Sequence, residues 1–142
     1  MIQGQGQVVV VEETVAQKRL DLVLIIFQRL IALVLIGLTL LFWLRLVGFW
    51  PGEGMRFDLM ATPLRIYTVL LAVIFPIASV GMWTTLPWGR VFWFMAALIQ
   101  ITAYFLFRGQ IDVAPLELVF HMSAIALYLV LAIAAARMTK KA

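Results

Sequence analysis

The stretch LVLIIFQRLIALVLIGLTLLFWLRLV, Leu22 to Val47, decides how the chain must be read. Its ionisable side chains are Arg29 and Arg45, which bracket the uncharged run Leu30–Leu44. An apolar run beyond about 18 residues reads as a membrane-crossing helix rather than a buried core helix. The sixteen helical steps from Arg29 to Arg45 cover about 24 Å, slightly less than the roughly 30 Å of a hydrocarbon core. Both guanidinium groups can therefore extend outward to opposite interfaces. That outward placement is preferred to a buried functional arginine.

Three further apolar runs follow, over 64–86, 91–107 and 116–136. The first loop, Gly48 to Pro63, holds Trp50, Pro51, Gly52, Gly54 and Pro63, all turn or breaker residues, among apolar side chains, and is expected to lie in an interface. Pro76 sits in the middle of span two and predicts a kink; Ser79 and Gly81 beyond it leave room for a close helix neighbour. Pro87-Trp88-Gly89 predicts a tight turn, and Arg108–Pro115 a short polar loop. Connections this short make spans two, three and four successive hairpins. The expected fold is an all-α integral membrane four-helix bundle with antiparallel up-down topology. Residues 1–21 read as a mobile cytoplasmic segment whose charged part, Glu12 to Asp21, has helical propensity; 22–136 is the transmembrane domain, and 137–142 a basic cytoplasmic tail. The first apolar run lacks a signal-peptide pattern and reads as a retained anchor.

Composition agrees. Of 142 residues, 65% are hydrophobic and 13% charged, with a mean hydropathy of +1.07. Soluble domains sit near 45–50% apolar and about 25% charged, so one soluble core could not hide this surface. The net charge of +4 lies between the apolar runs, as membrane orientation requires, with no basic-aromatic block for nucleic acid. With both termini on one side, that side carries Lys18, Arg19, Arg29, Arg90, Arg137, Lys140 and Lys141, against Arg45, Arg56, Arg65 and Arg108 on the other. The excess places both termini in the cytoplasm. The chain has no cysteine, which excludes disulfides, thiolate metal sites and thiol redox chemistry. Trp43, Trp50, Trp83, Trp88 and Trp93 fall near span ends and read as an interfacial belt.

Several local features carry a resemblance: Gln17-Lys18-Arg19 ahead of the first span, Trp50-Pro51-Gly52 in the first loop, and the Pro87-Trp88-Gly89 turn. In these the chain resembles a family of small four-helix bacterial inner-membrane proteins of unknown function and similar length. That resemblance implies a multi-pass inner-membrane location and no site residue. Small multidrug transporters are similar in size but depend on a carboxylate in the first span. Here that span offers Gln28 and Arg29, with no carboxylate after Asp21.

Polar groups inside apolar spans need partners and are the candidate site. They are Gln28, Gln100, Thr102, Tyr104, Glu117, His121, Ser123 and Tyr128. Glu117, His121 and Tyr128 share one helical stripe, and Gln100 and Tyr104 are one turn apart. The expected cluster is Gln100, Tyr104, Glu117 and His121, with a Tyr104–His121 hydrogen bond and a Glu117–Arg108 pair at the rim. It reads either as a polar pocket for a quinone head, a proton or a lipid head, or as interhelical glue. A single histidine cannot supply paired haem ligands, and no metal-binding set, nucleophile triad or phosphate loop is present. The expectation is therefore a non-enzymatic membrane protein without cofactor or metal. It would be an accessory subunit, assembly factor or scaffold that meets the lipid bilayer and either another membrane protein or itself. A small oligomeric transporter or channel, and a redox or lipid-handling enzyme subunit, are the alternatives.

Overall fold

The structure, a computed structural model, describes the backbone of residues 2–49, 57–106 and 115–139. It consists of four α-helices: α1 (Ile2–Val47), α2 (Thr62–Trp83), α3 (Pro87–Leu106) and α4 (Pro115–Thr139), with no strand among the described residues. Each helix contains a segment long and apolar enough to cross a membrane. Three start at proline or one residue before it, at Pro63, Pro87 and Pro115. Proline suits a helix start because its fixed φ is already helical and its missing N–H would have no partner there. Pro87 is thus the first residue of α3, and the turn is Thr84–Leu86 rather than Pro87–Gly89.

The polar leader expected to be mobile continues the α1 helix from Ile2. Its Gln, Glu, Lys and Arg residues are good helix formers, and extending a formed helix avoids the cost of nucleation. The side chains of Val8–Val11, the 50–56 loop and the 107–114 loop, with Arg108, lie outside the described residues.

The first two helices end alike. Beyond α1, Gly48 adopts φ 73° and the Phe49 N–H donates to the Leu44 carbonyl. Beyond α2, Thr85 adopts φ 58° and the Leu86 N–H donates to the Gly81 carbonyl. Both close a left-handed helix cap that satisfies carbonyls of the last turn. Glycine takes that conformation freely, whereas a β-branched threonine does so against its preference.

The helices meet in the order α1–α2–α3–α4 and α4 returns to α1, most extensively where α1 meets α2 and α2 meets α3. Side chains at three- and four-residue intervals form the core: Ile31, Leu35, Leu38 and Phe42 from α1, Leu71, Phe75, Ala78 and Met82 from α2, Trp93 and Ala96 from α3, and Ala124 from α4. Gly81 does permit a close neighbour: its backbone touches that of Gly89 on α3.

Helix α2 runs unbroken through Pro76. Proline there has no N–H to give the carbonyl of residue 72. The Trp43 indole on α1 supplies the donor, with Nε1 bonded to the Ala72 carbonyl at 3.2 Å. Ala72 is buried, so its carbonyl has no ready substitute. Trp43→Phe is expected to cost about 1 kcal/mol through this bond. In a Pro76→Ala background residue 76 regains its N–H, and the same substitution should then cost measurably less. Melting temperatures of the four proteins in one detergent form the cycle; equal costs in both backgrounds would disprove the substitution of Trp43 for the missing donor.

Candidate functional site

Three interhelical ties run along the facing sides of α3 and α4. Arg90 donates to the Tyr128 hydroxyl at 3.2 Å. The Trp93 indole Nε1 donates to His121 Nδ1 at 3.2 Å. Gln100 Nε2 donates to Glu117 Oε2 at 3.1 Å. On α3 these residues are three and seven apart, on α4 seven and four, so each set lies on one helix face.

Four cluster residues were expected to come together. Gln100 and Glu117 do. His121 is fully enclosed and bonds Trp93, not Tyr104. Tyr104 stands edge-on to its neighbour Phe105 at 5.7 Å and takes no part in these ties. The physical reason is register. His121 meets α3 eleven residues away from Tyr104, about 16 Å along the helix axis. Because Nδ1 accepts from Trp93, the neutral His121 carries its proton on Nε2. That Nε2 is buried without a partner. The imidazole lies flat against Phe75, 6.1 Å away and 8° from parallel, and edge-on to Phe120.

Other candidates take local or structural places. Gln28 is buried with its Oε1 unpartnered. Ser123 donates to the Phe120 carbonyl of its own helix, and Thr102 is exposed on α3, where it borders a cleft against α2. Tyr128 joins Phe27, Trp93 and Phe94 in an aromatic group besides accepting from Arg90.

Besides Arg90, three residues around these ties were missed in the sequence. Trp93 was assigned to an interfacial belt, yet it is 0% exposed, unlike Trp43, Trp83 and Trp88. Its spacing of seven from Gln100 puts both on one face, which is the signal available. Arg45 was read as pointing outward. It is half-buried, its guanidinium lies over the Phe42 ring at 4.8 Å, and its Nε is enclosed without a partner. Leu38, Phe42 and Arg45 follow one another at helical spacing, so Arg45 continues the buried stripe of α1. Tyr67 on α2 is buried, with its hydroxyl beside Gln100 but short of good hydrogen-bond geometry, and the Arg45 charge reaches both Tyr67 and Glu117. Arg45, Tyr67, Gln100 and Glu117 thus bring one polar residue from each helix to the same end of the fold, with the Gln100 carbonyl oxygen unpartnered among them.

The model of a family of unknown function, DUF6163, matches residues 22–139. No curated protein and no solved structure matches the chain.

Proposed function

The chain belongs to the family of unknown function DUF6163, and from that premise we propose that it is a non-enzymatic, multi-pass protein of the bacterial inner membrane that serves as an accessory subunit, assembly factor or scaffold of a membrane complex. The observation that carries this reading is the engagement of Arg90, Trp93, Gln100, Glu117, His121 and Tyr128 with one another across α3 and α4. They hold the helices to one another, while α4 offers Leu116, Val119, Val130 and Ile133 outward along one face. Such a surface is stable only against lipid or another apolar protein face.

The four spans lie in the bilayer in up-down order. This is supported by the pairing of residues 90, 93 and 100 on α3 with 128, 121 and 117 on α4, in which one number rises as the other falls. The lysine and arginine excess beside the termini favours their cytoplasmic placement. At about 1.5 Å per residue the 46-residue α1 is more than twice as long as a hydrocarbon core is thick. Its leader therefore stands out of the membrane as a helical arm, suited to meeting a partner there.

The test is extraction of the full chain from its native membrane in mild detergent, followed by cross-linking and mass spectrometry. A distinct membrane protein should accompany it in fixed ratio, and His121→Ala should leave the association intact. Recovery solely as a homo-oligomer that carries a solute flux in vesicles would overturn the accessory reading in favour of a transporter.

A further inference from the structure

Gln100 is 0% exposed, and only one half of its carboxamide is bonded. Nε2 donates to Glu117 Oε2 at 3.1 Å, while Oε1 is buried with no donor against it. A carbonyl oxygen enclosed in this way costs free energy, because water cannot reach it either. Three neighbours have a group that could donate. Arg45 has an enclosed Nε without a partner, and the Tyr67 hydroxyl stands beside the amide without good geometry. The third is Glu117, once its carboxyl carries a proton. Of the three, it alone is already bonded to the same amide. A planar carboxylic acid facing a planar carboxamide forms two parallel hydrogen bonds. The amide N–H donates to one carboxyl oxygen, and the O–H of the other donates back to the amide carbonyl.

The carboxylate form has supports of its own. The Arg45 charge reaches it from α1, and Glu117 lies in the first turn of α4, where the helix N-terminus favours an anion. The other charged and titratable groups near this end have partners. Arg65 on α2 donates to the Asp58 and Met60 carbonyls, Tyr104 on α3 lies against Phe105, and His121 on α4 is held by Trp93. Arg108 and Asp112, in the connection into α4, lie outside the described residues. Glu117 is partly exposed, so solvent at this end both delivers the proton and takes it back. We propose that Glu117 is a proton-binding site: when bound, the proton lies between Glu117 and the Gln100 carbonyl and ties α4 to α3, and when released it leaves a carboxylate that faces the Arg45 charge of α1. The proton thereby selects which neighbour holds the start of α4, at the end of the bundle away from Ile2 and Thr139.

The test is infrared difference spectroscopy of the full-length chain in vesicles, with isotope-labelled glutamate and stepwise changes of pH. A carboxylic-acid carbonyl band that carries the label should fade as pH rises and be missing in Glu117→Gln. That variant copies the shape of the acid and places a second amide N–H against the Gln100 carbonyl, so the protein should stay folded. Gln100→Leu removes the partner of the acid, and the band should move to the higher frequency of an unbonded carboxylic acid. Arg45→Met removes the charge that favours the carboxylate, and the band should persist at least about one pH unit higher, a tenfold gain in proton affinity. Arg45→Lys keeps the charge and should return the midpoint toward that of the unaltered protein. No labelled band lost in Glu117→Gln at any pH, or a band of the same frequency in Gln100→Leu, would overturn the proposal. So would a shift in Arg108→Gln equal to or larger than that in Arg45→Met, because the opposing charge would then come from the connection and not from α1.

Discussion

Gly89→Leu is expected to abolish the folded helix pair, with a loss of stability of about 3 kcal/mol or more, at or above the upper end of ordinary overpacking. A β-carbon at Gly89 would fall within van der Waals distance of the Gly81 backbone and 2.5 Å from the Met82 nitrogen. All its nearest neighbours are backbone, so no side chain can swing aside. Relief requires α2 and α3 to separate, and separation at this point withdraws packing from Met82 and Ala78 and from the turn between the helices. Gly89→Ala should show the same effect in smaller degree. Gly37 supplies the control, because nothing lies within 4 Å of a β-carbon there. Alanine at 37 should leave the melting temperature equal or raise it, since alanine favours the helix by up to about 1 kcal/mol over glycine. Thermal melts of the three variants in one detergent decide the matter. Equal behaviour of Gly37→Ala and Gly89→Ala would refute the contact.

Trp93→Ala is expected to cost about 3–5 kcal/mol, the range for deleting a large buried aromatic. Trp93 is 0% exposed, stacks on Phe94 at 5.3 Å and meets Tyr128 edge-on at 6.1 Å. Its loss opens a cavity between α3 and α4 and removes the donor to His121 Nδ1. Trp93→Phe retains much of the volume and should cost about 1–2 kcal/mol, chiefly by stranding that buried nitrogen. The hydrogen bond can be separated from the packing by pairing Trp93→Phe with His121→Phe. Removing both partners together should cost less than the sum of the single changes, because neither leaves the other unsatisfied. Strictly additive losses would mean that the bond contributes nothing and that Trp93 acts through volume alone.

The site was partly legible in the sequence. Gln100, Glu117 and His121 stand out as polar groups in apolar runs, and two of the three bond each other. Tyr104 stood out by the same rule and is not engaged with them, whereas Trp93 did not and bonds His121, and Tyr67 did not and lies buried beside Gln100. Hydropathy marks a polar atom but not its partner. Tryptophan and tyrosine read alike at an interface and in a core, since each has an apolar body and one polar tip. Arg45 was misjudged because position along a span was weighed ahead of position around it: three residues beyond Phe42, it falls on the packed face.

What the sequence determined by itself is the number and kind of elements. Four apolar runs, interrupted by proline, glycine and charge, admit four helices and little else, because each backbone group in such a run is best satisfied within its own helix. The tertiary structure alone decided rotation and register: that Trp93 rather than Tyr104 meets His121, that Trp43 serves the carbonyl stranded by Pro76, and that Gly81 and Gly89 touch at one end while a cleft stands at the other. One residue turns a helix face by about 100° and moves it 1.5 Å, a difference to which hydropathy is blind and to which the packing of Trp93, Phe75 and two facing glycines is not.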